Sequence, residues 1–352
     1  MTHQSNSDFE RPVEAPLQIG VFAHFAEEDG SVHSNADSVY ERFIDLFVHA
    51  ESLGFDSAWV RQFHLQNADR SRAGGLPSPF VFLAAVAART ERLRLGTGAV
   101  TLPLESPLRV AEDAAVLDVL SGGRVELGVA NGGGLPGLAE VFGRSFADDP
   151  AKRRVDYLKA LQALLDALAG KPLDEAGQII SPLRPQLLDR FWQATLSDTS
   201  AFEAAERGHG VLVGTTQTVP AEVTAAAYYR GLADGVTPRL GLSTLIFPGR
   251  SRESALREAE AGILKKWAWG KDFLPPATTL AEIANSLSIH YGTAEQIAES
   301  IASQPAFAYT THLQVQVELV YSNFAKRHDA LELFVNEIAP ALGWRSPLAA
   351  TV

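Results

Sequence analysis

The 352-residue sequence contains no cysteine and a single methionine. Without thiols there is no disulfide, no thiolate metal ligand and no cysteine nucleophile, which fits a reducing cytoplasm. Basic residues are also scarce: 30 Lys and Arg stand against 42 Asp and Glu, a net charge of −12. Such a chain repels phosphate backbones and anionic lipid, so nucleic acid and membrane are excluded as partners, and any phosphate must be gripped locally. No apolar run reaches the roughly 18 residues that span a bilayer. Residues 1–16 are polar and lack the apolar centre of a signal peptide, so a soluble, cytoplasmic chain is expected. No HxxxH pair or carboxylate cluster suggests a metal, and no Ser-His-Asp ordering or low-complexity tract stands out.

What remains is rich in core-forming residues, 46% hydrophobic against 20% charged. Apolar, β-branched runs alternate with longer amphipathic stretches, the pattern of parallel βα repeats. Strands are predicted at 17–23, 55–61, 93–100, 125–130, 191–196, 211–213, 239–246 and 312–318. Helices are predicted at 39–53, 80–90, 108–120, 152–169, 200–207, 221–232, 251–267 and 324–342, with Gly54, Gly122 and Gly208 at helix C-caps. Eight such units close into a (β/α)8 TIM barrel, a fold of about 250 residues before insertions. The barrel is expected over 17–345, between an extended or disordered N-terminus (1–16) and a short tail (346–352). The Pro- and Gly-containing stretch 170–190 reads as a long connection or short hairpin. Residues 268–301, with Pro275-Pro276 and preceded by Trp267, read as an insertion able to cover the barrel mouth.

A βα barrel keeps its chemistry at the C-terminal ends of its strands. Thr97-Gly98-Ala99 ends the third strand, where small residues either admit a flat ring close to the backbone or relieve interior crowding. Arg109, just after Pro107 at the start of the third helix, can fork hydrogen bonds to a phosphate on the same rim. Ser197 and Thr199 lie where the fifth strand turns into its helix and offer hydroxyls, N–H groups and a helix dipole. The same run reads equally as helix capping, with Ser200 and Glu203 as a capping box. Asn131-Gly132-Gly133-Gly134 follows the fourth strand without the spacing of a nucleotide loop and is either a turn or a polar edge of the site. His64 and His24 each end a strand; an imidazole there either exchanges protons near neutral pH or is hydrogen-bonded for structural reasons.

The run GFDSAWV (54–60), the GTGAV strand (96–100), Pro107 and Arg109 ahead of Ala111-Glu112-Asp113, and the LDVLSGGR turn (117–124) together resemble the bacterial-luciferase-like flavin-dependent monooxygenases and their deazaflavin-using relatives. Gly292-Thr293-Ala294-Glu295-Gln296 extends the likeness toward the C-terminus. The resemblance implies a luciferase-like barrel in which Thr97, Gly98 and Ala99 lie under the flavin, with a non-prolyl cis peptide at Gly98–Ala99. It also implies that Arg109 and Ser197, with Thr199 beside them, hold the FMN phosphate, and that Asn131 and Gly132 border the ring. The activity implied is oxygenation of a small organic substrate by O2 and reduced FMN, the FMN being a cosubstrate delivered by a separate reductase, in a homodimer. F420-dependent hydride transfer and non-catalytic flavin binding are the alternatives. Two positions depart from luciferase: Leu196 replaces a carboxylate beside the serine, and Phe63 replaces the histidine credited with acid–base work, leaving His64 as the candidate proton carrier.

Overall fold

A computed structural model describes residues 16–25, 36–65, 75–132, 138–144, 149–214, 219–271, 274–318 and 324–348. Its strands are β1 (Gln18–Ala23), β2 (Ser57–Val60), β3 (Arg94–Thr97), β4 (Val100–Thr101), β5 (Val125–Ala130), β6 (Phe191–Ala194), β7 (Gly210–Val213), β8 (Leu240–Pro248), β9 (Ile289–Gly292) and β10 (His312–Gln316). The helices are α1 (Ala36–Ser52), α2 (Pro79–Ala87), α3 (Pro107–Leu120), α4 (Leu138–Val141), α5 (Pro150–Leu168), α6 (Asp198–Glu206), α7 (Ala221–Gly231), α8 (Arg252–Gly270), α9 (Leu280–Ser286), α10 (Ala294–Ala302), α11 (Phe324–Leu333) and α12 (Ala339–Ala341). All pairings are parallel, and the order β1-β2-β3-β5-β6-β7-β8-β10 returns to β1 through Gln18↔His312. The result is the closed eight-stranded (β/α)8 barrel expected from the alternation.

Period-2 alternation decides which residues line the barrel. Ile19, Val21 and Ala23 of β1 point outward into the core shared with the helices. Inside, Phe22, Trp59, Trp192 and Leu212 form a separate cluster in which the two indoles meet edge to face at 5.3 Å. Gly96 and Gly210 face those indoles, and a Cβ at either would overlap the ring, so the glycines are what let two tryptophans fit one layer. Below them Glu126 accepts from Trp192 Nε1 at 2.7 Å and from Arg94 Nε, while Arg239 lies 5.2 Å over the Trp192 ring and His312 meets its edge. This packing fills the N-terminal end and leaves the C-terminal mouth to the site.

Five local features depart from or refine the expected pattern. The third strand is interrupted at Gly98–Ala99, whose peptide is cis as the resemblance implies, and resumes as β4. The helix after β6 starts at Asp198 with Ser197 as its N-cap, not at Ser200: Ser197 Oγ accepts from Ser200 N, and Glu203 is drawn off to Arg154, so the expected Ser200–Glu203 box does not form. Residues 170–190 form a connection with a 3-10 turn at Pro185–Arg190 and no hairpin strand. The stretch after α8 contributes α9 and β9, which pairs with the distal half of β8 (Leu245↔Ile289) over its own small core of Ala259, Ile263, Ile283 and Leu287. Thr293 and Gln296 cap α10 reciprocally. Residues 1–15 and 349–352, for which an extended end and a tail were expected, lie outside the described residues.

Candidate functional site

Three consecutive rim segments carry the polar groups. The first follows β2: Arg61, Gln62, Phe63 and His64. Arg61 sits 4.6 Å over the Phe63 ring, so the position that luciferase gives to a histidine serves here as an aromatic seat for a guanidinium. Gln62 Oε1 accepts from Thr101 N (2.8 Å) and its Nε2 donates to Glu105 (2.7 Å). His64 is buried, with its ring against Phe142 at 4.7 Å and its Nε2 at 3.7 Å from Glu105 Oε1. Burial pulls its pKa below the usual imidazole range, and Glu105 opposes that pull without cancelling it.

The second segment spans β3 to α3. Gly98 faces the barrel interior, where a Cβ would come 3.2 Å from Phe22 Cε2; with hydrogen alone there and only the Ala99 methyl beside it, the strand forms a small-residue shelf bordered by the Phe22 ring. Thr97 does not join that shelf through its side chain. Its hydroxyl donates to Gly128 O and accepts from Gly128 N, both at 2.8 Å, and thereby ties β3 to β5. Arg109 is exposed on the first turn of α3 and is held by Glu112 (2.8 Å) and Asp113 (2.9 Å) of its own helix. Gripping a phosphate therefore requires exchange of those two carboxylates. Asn131 and Gly132 follow β5 at the same rim, Gly132 with a positive φ of 76° packed against Thr101 Cγ2. Gly133 and Gly134 lie outside the described residues.

The third segment is the start of α6. Ser197 caps the helix, Thr199 N donates to Asp198 Oδ1 (2.7 Å), and Leu196 is exposed. Sequence reading missed Arg154 of α5, which donates to Ser200 Oγ (2.7 Å) and Glu203 (2.6 Å) and brings a guanidinium to this helix start. A cation more than forty residues upstream in a helix repeat leaves no linear signal.

Across the mouth, His24 N donates to Glu318 at 2.8 Å and its ring meets Phe22 edge-on at 4.7 Å. Burial, with Arg61 and Lys266 adding to it, holds His24 well below the ordinary imidazole range and therefore neutral at pH 7. Lys266 of α8 is coupled to both Arg61 and Glu318; burial and then Arg61 lower it to about 8 against the pull of Glu318. Lys266 and Glu318 were also missed, because only barrel closure brings α8 and the end of β10 next to β1 and β2. Among the described residues no His, Asp and Glu group converges to hold a metal, and no helix is long and apolar enough to cross a membrane.

The comparisons agree with the fold. Residues 17–309 match the luciferase-like monooxygenase family. The chain is 32% identical over 324 residues to an uncharacterized Sinorhizobium fredii protein, covering 86% of this chain and 90% of that one. It is 27% identical over 332 residues to 4-hydroxyprotoasukamycin monooxygenase of Streptomyces nodosus subsp. asukaensis, covering 85% and 86%. The fold superposes with a TM-score of 0.73 at 18% identity on the oxygenating constituent of 3,6-diketocamphane monooxygenase of Pseudomonas putida in complex with FMN, covering 94% of this chain and all of that one. Barrel closure, the Gly98–Ala99 shelf and a family match across most of the chain converge: this protein belongs to the luciferase-like monooxygenases.

Proposed function

We propose that the protein is an FMN-dependent monooxygenase that uses reduced flavin and O2 to oxygenate a small organic substrate. The observation that carries this reading is the small-residue Gly98–Ala99 shelf at the barrel mouth, on the same rim as the phosphate-matching groups of Arg109 and Ser197. Bound reduced flavin supplies the electrons that activate O2. The protein's part is to seat the ring on the shelf, bind the phosphate with N–H, hydroxyl and guanidinium donors, and exclude water. His64, in the segment that follows β2, holds or moves the proton that oxygenation releases or consumes. Delivery of reduced flavin by a separate reductase and assembly as a homodimer belong to the same proposal. For the dimer the supporting observation is a set of exposed apolar residues on adjacent helices, Val81 of α2 and Val116, Val119 and Leu120 of α3.

Titration of the purified protein with FMN, reduced FMN and F420, followed by absorbance and calorimetry, tests the reading. Charge-assisted hydrogen bonds contribute about 1.5–3 kcal/mol, so Arg109→Ala should weaken flavin binding roughly tenfold or more. Binding of F420 with no binding of FMN moves the assignment to deazaflavin hydride transfer. Unchanged FMN affinity in the variant removes Arg109 from the site.

A further inference from the structure

We propose that Glu105 is the positioning residue for His64, directing Nε2–H toward its carboxylate and leaving Nδ1 as the nitrogen that exchanges protons. The inference rests on the monooxygenase reading for what the proton is used for, but its geometry stands by itself. His64 Nε2 is buried and has no hydrogen-bond partner, and the nearest acceptor is Glu105 Oε1 at 3.7 Å. A shift of under about 1 Å turns that approach into an ordinary hydrogen bond, and such contacts commonly tighten when a site closes on its ligands.

The carboxylate is not free to look elsewhere. Gln62 Nε2 donates to the same Oε1 at 2.7 Å, Gln62 Oε1 takes Thr101 N at 2.8 Å, and Arg144 Nη2 donates to the Glu105 carbonyl at 3.2 Å. Glu105 is thus pinned to the segment that resumes immediately after the Gly98–Ala99 shelf, and His64 is aimed from the same point. Among the described residues the charged groups named around the imidazole are Glu105 from the turn before α3 and Arg144 beyond α4, with Arg61 of the same segment turned onto Phe63. The Phe142 ring packs edge to face against the imidazole at 4.7 Å. With Nε2–H directed at a carboxylate, Nδ1 accepts one proton, the resulting positive charge faces Glu105, and the same proton is returned from Nδ1.

The test compares wild type with Glu105→Gln, which keeps the Gln62 contact while removing the charge; a thermal melt confirms that the variant is folded. Imidazole 15N correlation spectra of the flavin-free protein, with His64 identified by the loss of its signals in His64→Gln, should show the Nε2–H tautomer in wild type. In Glu105→Gln the His64 titration should move to lower pH, because the carboxylate that favours the cation is gone. The pH dependence of O2-driven reoxidation of protein-bound reduced FMN should move in the same direction, with FMN affinity unchanged. An Nδ1–H tautomer in wild type, or a His64 titration that does not move in Glu105→Gln, overturns the proposal. Failure of FMN to bind overturns the monooxygenase reading instead, while the tautomer and titration of His64 in the flavin-free protein still decide the role of Glu105.

Discussion

Asp118 is the most committed charge outside the rim. It is fully buried near the end of α3, and its carboxylate takes Arg184 Nε and Arg190 Nη1, each at 2.8 Å, while Arg190 Nη1 also caps Gly123 O and Val125 O. Burial pushes its pKa up, but the hydrogen bonds and charges of Arg190 and Arg184 outweigh it, and the net shift is downward. Removing one partner of a buried pair strands the others, so Asp118→Asn should cost about 3–5 kcal/mol in a denaturant melt. Because the folded pKa is depressed, the stabilisation from the charged form is complete above the unfolded carboxylate range and is lost as pH falls through the folded value. The melting temperatures of wild type and Asp118→Asn should therefore converge in acid; a constant gap would show that the ionised carboxylate is not what matters. Thr97 illustrates the other kind of residue-level outcome. Its place next to Gly98 was legible in the linear motif, but the direction of its hydroxyl was not, since that depends on which strand lies alongside.

At the scale of elements, the joint between β3 and β5 explains why Thr97 is needed. The backbone ladder runs from Leu95↔Val125 to Gly96↔Glu126, breaks at the cis peptide, and resumes with β4 at Val100↔Val129. In the gap the Thr97 hydroxyl serves both main-chain groups of Gly128, and a Cβ on Gly128 would overlap Thr97 O. Thr97→Val preserves shape and leaves a buried N–H and C=O unpaired, at about 1–3 kcal/mol. It should lower the melting temperature while FMN affinity per folded molecule stays unchanged; weakened FMN binding at unchanged stability would instead make Thr97 a direct ligand. The start of α6 calls for the opposite pattern. Ser197→Ala removes an N-cap worth about 1 kcal/mol and, if this helix start holds the phosphate, should weaken FMN binding as well, most clearly in calorimetry. The helix boundaries themselves were largely readable, because Gly54, Gly122 and Gly208 take the positive φ that ends α1, α3 and α6. The start of α6 was not, because Arg154 reaches it from α5 and takes up Glu203.

At the scale of the whole molecule, the barrel separates stability from chemistry. The N-terminal end is filled by Glu126, Trp192, Arg94, Arg239 and His312, and the C-terminal end gathers His24, Arg61, His64, Gly98, Ser197, Lys266 and Glu318. The flank offers Val116, Val119 and Leu120 on one ridge of α3, with Val81 of the adjacent α2 also exposed, an arrangement suited to a second copy of the chain. The double variant Val119→Asp, Leu120→Asp should sediment as monomer where wild type is dimer, because two like charges would enter each half of an isologous contact. Wild type sedimenting as monomer at micromolar concentration would remove the dimer from the proposal.

The eight βα repeats of the barrel and the rim on which the polar residues fall were determined by the sequence alone, whereas α9 and β9 were not among the elements read from it and the Gly98–Ala99 break was implied only by the family resemblance. Alternating apolar periods, glycine caps and local motifs are short-range properties, and a closed parallel barrel is the simplest way to bury eight such repeats. The long-range partners of the polar groups were decided by tertiary structure. Glu105 lies 41 positions after His64 and Arg154 46 before Ser200, and Lys266 meets Arg61 only once the barrel closes. Hydrogen bonds and charges act over a few ångströms in space, and the chain distance between their owners carries no record of that proximity.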